Sequence, residues 1–328
     1  MKPHDTINSG DARAAQFTAG KLRGILLPCT TPFTADDRVD TRALGRNIAR
    51  WNESGVGGYV VLGSTGERVH LDEREVAEVV NTARACVPEH LAFVVGVGRN
   101  STRGSIAEAR RAADAGADAV LVITPHFYRA AMTPAALAGF YEAVADASPV
   151  PVVLYNIPQN TGVALSPETV ARLSEHENIA GIKDSSGDMV NFVELLRLAS
   201  PAFAVLTGHA SLLYAALSAG AQGAILAAAC VAPEVAVRIA QLVERGAHVE
   251  AGEWQRKFTP LARAVTTRFG VGGLKYALDL CDYEGGEVRA PLSMPDDGAR
   301  REIERTLAEC RPYVETENET QLVEGAVK

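Results

Sequence analysis

Gly24-Ile25-Leu26-Leu27-Pro28-Cys29-Thr30-Thr31-Pro32-Phe33 is a short apolar run that opens into a proline-bounded polar loop. A doubly wound nucleotide-binding sheet has a Gly-x-Gly-x-x-Gly turn after its first strand, where backbone must approach a pyrophosphate closely. No such turn follows Leu27. Seven comparable runs come later: Gly58 to Leu62, Leu91 to Val97, Ala119 to Ile123, Val152 to Tyr155, Ile179 to Lys183, Phe203 to Leu206 and Gly223 to Leu226. They are brief and lack strict alternation, as parallel strands covered on both faces should be.

Helix signals separate the runs. Asp72-Glu73-Arg74-Glu75 has capping-box spacing, Ser101 precedes an alanine-rich segment, and Thr133-Pro134 and Ser166-Pro167 place proline in a first helical turn. Eight strand-helix units therefore fit between Gly24 and Gly246. The predicted fold is α/β, a (β/α)8 TIM barrel whose catalytic groups lie in the loops after the strands. The predicted organisation is a flexible N-terminal segment over 1–20, a catalytic barrel over 21–248, and a C-terminal helical extension and tail over 249–328.

Composition narrows the class. The 328 residues are 47% hydrophobic and 22% charged, enough for a sizeable core. Forty acidic against 32 basic residues give a net charge of -8, which disfavours nucleic acid as a partner. The five cysteines are dispersed without Cys-x-x-Cys spacing, the pattern of reduced thiols. The first 20 residues carry no apolar signal region, and Ala215 to Val237 is interrupted by Gly220, Gln222, Gly223 and Pro233. A cytoplasmic protein with no membrane partner is expected.

In a barrel, polar residues just beyond each strand face one chamber. Lys183 ends the sixth run and Tyr155 the fifth, Ser64 and Thr65 follow the second, and His126 and Phe127 follow the fourth. A lysine desolvated at a strand end is poised to attack a ketone, and a phenol with a hydroxyl neighbour can shuttle the protons of dehydration. Singly, Lys183 would more often be a surface lysine and Tyr155 a packed aromatic; their shared layer raises both. The turn Gly63-Ser64-Thr65-Gly66 offers amides and hydroxyls to a carboxylate, or is simply a tight turn. Glu67 reads as a structural acceptor tying loops together. Asp184 and Asp188 lack convergent His or Cys partners, so no metal or other cofactor is expected.

Gly63-Ser64-Thr65-Gly66-Glu67, Thr124-Pro125-His126-Phe127-Tyr128, Tyr155-Asn156-Ile157-Pro158 and Gly181-Ile182-Lys183-Asp184 together resemble the pyruvate-dependent class I aldolase family that includes dihydrodipicolinate synthase and N-acetylneuraminate lyase. The likeness runs from about Gly24 to Leu292. It implies Lys183 as the imine lysine, Tyr155 as the proton relay, Ser64 as its hydroxyl partner and Thr65 as a carboxylate binder. It further implies Gly208 beside the bound keto acid and Ile225 in the pyruvate pocket. His126 lies beside that chamber as a candidate hydrogen-bond partner of the aldehyde.

Two departures bear on the subgroup. Asn160 stands where the dihydrodipicolinate synthases carry an arginine for the aldehyde's carboxylate, and an amide lacks the charge and fork of a guanidinium. Phe127 stands where they supply a relay tyrosine across a dimer, with Tyr128 available to shift in. The Asn160 pattern, Lys183-Asp184-Ser185-Ser186-Gly187-Asp188 and Thr267-Arg268-Phe269-Gly270-Val271-Gly272-Gly273-Leu274-Lys275 are closer to 4-hydroxy-2-oxoglutarate aldolases, as are Tyr283-Glu284-Gly285-Gly286 and Arg289-Ala290-Pro291-Leu292. The resemblance thus implies cleavage of a 4-hydroxy-2-oxo acid to pyruvate and an aldehyde such as glyoxylate, in a homotetramer built from dimers. The alternatives are a dihydrodipicolinate synthase-like enzyme, a keto-deoxy sugar-acid aldolase or dehydratase, and a keto-acid-binding barrel without turnover.

Overall fold

In the computed structural model, which describes residues 9–310, eight parallel strands close into a barrel in sequence order. They are β1 Gly24–Pro28, β2 Gly58–Val61, β3 Ala92–Val97, β4 Ala119–Ile123, β5 Val152–Asn156, β6 Ile179–Asp184, β7 Ala204–Thr207 and β8 Gly223–Ile225. Closure is made by β1 against β8, with Gly24 opposite Gly223 and Leu26 opposite Ile225.

The strands show no polar alternation because both faces are buried, in two separate apolar layers. Leu26, Val60, Val94, Leu121 and Val153 point into the barrel. Their neighbours Ile25, Leu27, Tyr59, Val61, Phe93 and Val95 point outward against the surrounding helices. The capping box at Asp72 and Glu75 and the caps at Ser101, Thr133 and Ser166 form as predicted, each supplying an acceptor to an otherwise unpaired first-turn amide.

The N-terminal expectation needs correction. Ser9–Gly20 is a helix, and its Ala14 and Phe17 join the apolar layer inside the barrel. The Thr18 hydroxyl donates to the Ala180 carbonyl at 2.9 Å, and Lys21 Nζ pairs with Asp118 at 2.8 Å. A short helix with one small apolar patch carries little stability of its own and forms by closing the barrel floor. Residues 1–8 and the tail 311–328 lie outside the described residues.

Beyond β8 come helices Pro233–Glu244 and His248–Arg263, a π-helical turn Ala264–Arg268, helix Gly270–Asp279 and a last helix over 297–310. Leu261, Leu274, Leu278 and Ile303 share the outer apolar layer with the barrel strands. Val265, Thr266 and Thr267 of the π turn and Val271 and Leu274 of the helix after it face the cavity at the ends of the strands. Among the described residues no helix is long and apolar enough to cross a membrane.

Candidate active site

Parallel register places the two principal groups side by side. Tyr155 is opposite Lys183 across β5 and β6, and Asn156 is opposite Asp184. Paired residues in adjacent strands project to the same face, so both side chains enter the barrel near its C-terminal rim. Lys183 and Tyr155 are each 4% exposed, and Lys183 Nζ lies 4.5 Å from the centre of the Tyr155 ring. The Tyr155 hydroxyl is 3.3 Å from Ser64 Oγ, within reach for either to donate. Amine, phenol and alcohol thus form one continuous polar line in an otherwise apolar interior.

The surroundings lock this line. The Thr31 hydroxyl donates to the Gly66 carbonyl at 2.8 Å, holding the Ser64–Gly66 turn to the loop after β1. Beneath Lys183, the buried Asp184 carboxylate accepts from Asn156 Nδ2 at 2.6 Å and Ser186 Oγ at 2.7 Å. Burial pushes the Asp184 carboxyl up from its ordinary range, while those two hydrogen bonds pull it back down. Asp184 thereby serves the strand end and loop, not the chamber.

A cavity of about 480 Å³ opens above the line. Ser64, Thr65, Tyr155, Asn160, Lys183, Gly208 and Ile225 all line it. His126 and Phe127 are not among the residues that line it. The amides of both donate to Asn100 Oδ1, at 2.8 and 2.9 Å, which pins the loop outside the rim. Phe127 is 73% exposed and meets only the equally outward Tyr128 edge-on.

Several lining residues carried no promotion from the sequence. Gln159 and Ser185 adjoin recognised segments, and Gln159 Nε2 donates to the Ser185 carbonyl at 2.7 Å, tying the loops after β5 and β6. His209 lines the same side, and burial lowers its pKa below the ordinary imidazole value, with Asp184 opposing the shift. Thr266, Thr267, Val271 and Leu274 come from the C-terminal helices and roof the chamber. Thr267, Val271 and Leu274 fall in a stretch that shares the family resemblance, but no local pattern marks them as lining residues; Thr266 and Thr267 lie in the π turn, a frequent mark of functional positions.

Gly208 is required by space. A Cβ there would lie 1.9 Å from Ser185 Oγ and 3.0 Å from Lys183 Cε. Gly208→Ala should drive the Ser185 hydroxyl aside and press the lysine stem by a few tenths of an ångström, lowering turnover by less than the roughly 10²-fold of a 1 Å misplacement. Steady-state rates alongside borohydride trapping would check this; unchanged rates would show that the lysine tolerates the shift.

The dihydrodipicolinate synthetase family matches residues 21–310, nearly the whole described chain. The chain belongs to that family. The 4-hydroxy-tetrahydrodipicolinate synthase of Methanothrix thermoacetophila is 36% identical over 277 residues, covering 84% of this chain and 92% of that protein. That of Natronomonas pharaonis is 33% identical over 294 residues, covering 89% and 99%. Among solved structures, the dihydrodipicolinate synthase of Thermotoga maritima superposes with a TM-score of 0.83 at 29% identity over 88% of this chain and 98% of that one. A prophage protein of the family from E. coli K12, solved with pyruvate, gives 0.83 at 30% identity over 88% and 98%. As a member of the dihydrodipicolinate synthetase family the chain is a class I, pyruvate-dependent Schiff-base lyase on a TIM barrel.

Proposed function

We propose that Lys183 forms an imine with pyruvate, and that the chain makes or breaks a carbon-carbon bond between the pyruvate methyl carbon and a small aldehyde. The observation that carries this is the contiguous line of Lys183 Nζ, the Tyr155 ring and hydroxyl, and Ser64 Oγ inside one cavity. The Lys183 amine attacks C2 of the keto acid, and the carbinolamine loses water as Tyr155 passes a proton to the departing hydroxyl, with Ser64 as the second member of the relay. The first two amides of the Ser64–Gly66 turn are not used within the turn, and with the Thr65 hydroxyl they suit the keto-acid carboxylate. The protonated imine is the electron sink: the Tyr155–Ser64 relay takes a C3 proton to give the enamine, which adds to an aldehyde carbonyl as the relay returns a proton to its oxygen. In the reverse direction the proton leaves the C4 hydroxyl and the C3–C4 bond breaks.

For the second substrate, the names of the relatives support condensation of the 4-hydroxy-tetrahydrodipicolinate synthase type over a dedicated 4-hydroxy-2-oxoglutarate aldolase. One specific observation keeps cleavage of 4-hydroxy-2-oxoglutarate to pyruvate and glyoxylate as the second reading. Asn160 lines the chamber where a guanidinium would clamp the aldehyde's carboxylate, and no arginine shares that lining. The Arg129 side chain lies against Gly162 of the same loop but is not part of the lining.

The exposed apolar Val69, Phe127 and Tyr128 support self-association, and we propose a homotetramer of dimers in the cytoplasm, although one solved relative is described as a monomeric dihydrodipicolinate synthase variant. The test supplies the purified enzyme in parallel with pyruvate plus the synthase's aldehyde, and with 4-hydroxy-2-oxoglutarate. Synthase product formation supports the first reading, and pyruvate with glyoxylate supports the second. Failure of borohydride to attach pyruvate to Lys183 would overturn both.

A further inference from the structure

Two non-glycine residues hold left-handed backbone conformations on either side of the turn that carries Ser64. They are Leu62 at φ 59° and Glu67 at φ 52°. Such conformations are costly for side-chain-bearing residues and persist only where the surroundings over-determine them. For Glu67 those surroundings are specific. Its carboxylate is buried, with Oε1 2.6 Å from Lys275 Nζ and Oε2 accepting from the Arg289 amide at 3.0 Å.

Lys275 is the only fully buried lysine among the described residues, at 0% exposure. Its ammonium also donates to the Glu287 carbonyl at 2.6 Å and sits 4.4 Å over the Phe33 ring. The segment that supplies Glu287 runs directly across the helix: a Cβ on Gly285 would meet the Lys275 carbonyl oxygen at 2.0 Å. Lys275 is thus held from three sides and cannot be swung toward the keto acid. It is nevertheless one residue from Leu274, which roofs the active chamber from helix Gly270–Asp279.

A buried ion pair gains little net stability over an apolar pair of the same volume, because desolvation offsets the attraction. What it contributes is a unique geometry at each end. Here one end is the turn bearing Ser64 and the other is the helix that closes the outer half of the chamber.

We infer that Lys275 is a positioning residue for catalysis, clamping Glu67 so that Ser64 stays within proton-relay distance of Tyr155 and registering that turn against the roof helix. This rests on the imine reading of the site. The two buried lysines thereby differ in what they do. The Lys183 amine reacts, and the Lys275 ammonium sets where the relay hydroxyl stands.

The test is a double-mutant cycle between Lys275→Met and Ser64→Ala, reading kcat, KM for pyruvate and borohydride trapping at Lys183. If Lys275 acts through Ser64, Lys275→Met lowers kcat about tenfold to a hundredfold in the natural background, within the range of a general acid-base contribution. It then costs less than about threefold where Ser64 is already alanine, since a positioning residue has nothing left to position. KM for pyruvate and trapping remain near those of the natural chain. An equal loss of kcat in both backgrounds, loss of trapping, or a lowered unfolding temperature with kcat unchanged would overturn the inference. If Lys275→Met does not fold, the Glu67→Gln/Lys275→Met pair, which leaves no unpaired buried charge, is put through the same cycle under the same criteria. Absence of trapping in the natural chain would instead overturn the imine reading itself, and so is distinguishable.

Discussion

Lys183→Ala should abolish covalent capture of pyruvate under borohydride and lower turnover by at least about 10⁴-fold, equivalent to about 5.5 kcal/mol of transition-state stabilisation. The size of the effect follows from the lack of a substitute. No other amine lines the chamber, and the second buried lysine, Lys275, is committed to Glu67 and the Glu287 carbonyl. Without an imine there is no electron sink for the carbanion at C3, and no other residue of the lining can become one. Mass spectrometry of the reduced adduct together with product release is the measurement. Residual trapping in the alanine variant would mean that another amine reacts. Lys183→Met is the companion variant, since it fills the volume of the stem and separates loss of the amine from loss of packing.

Tyr155→Phe should lower kcat by roughly 10²- to 10³-fold and slow formation of the imine, which stays trappable on long incubation because the ring that faces Lys183 Nζ at 4.5 Å is kept and only the proton-carrying oxygen is lost. The 3.3 Å contact to Ser64 makes these two hydroxyls one relay, so Ser64→Ala should add little once Tyr155 is phenylalanine. Exchange of the pyruvate methyl protons with solvent deuterium offers a readout independent of the aldehyde. Slow exchange with trapping retained on long incubation is the expected pattern. Normal exchange in Tyr155→Phe would assign the proton transfer to another group.

The barrel was legible from the chain because burying both faces of a parallel strand demands short, unbroken aliphatic runs. Ala119–Ile123 coincides with its predicted run, and the other strands differ from theirs by one residue at one end or at both. Lys183, Tyr155 and Ser64 were legible for a related reason: a polar residue directly after such a run has the barrel mouth as its natural destination. Helix Ser9–Gly20 was not, since its two apolar contacts have meaning only against the barrel floor. His126 and Phe127 follow a strand as Tyr155 does, yet Asn100 draws their backbone outward, a contact from another loop that no local pattern announces.

The order of buried runs and the choice of candidate side chains were open to reading in the linear chain alone, since hydrophobic spacing and functional-group chemistry are local properties. Folding in three dimensions decided which of those groups meet. The register that sets Tyr155 beside Lys183, the π turn that brings Thr266 and Thr267 over the chamber, and the Glu67–Lys275 pair all join residues far apart in the chain. Such contacts arise from closing a barrel and burying charge in low dielectric, a collective energy that no single segment carries.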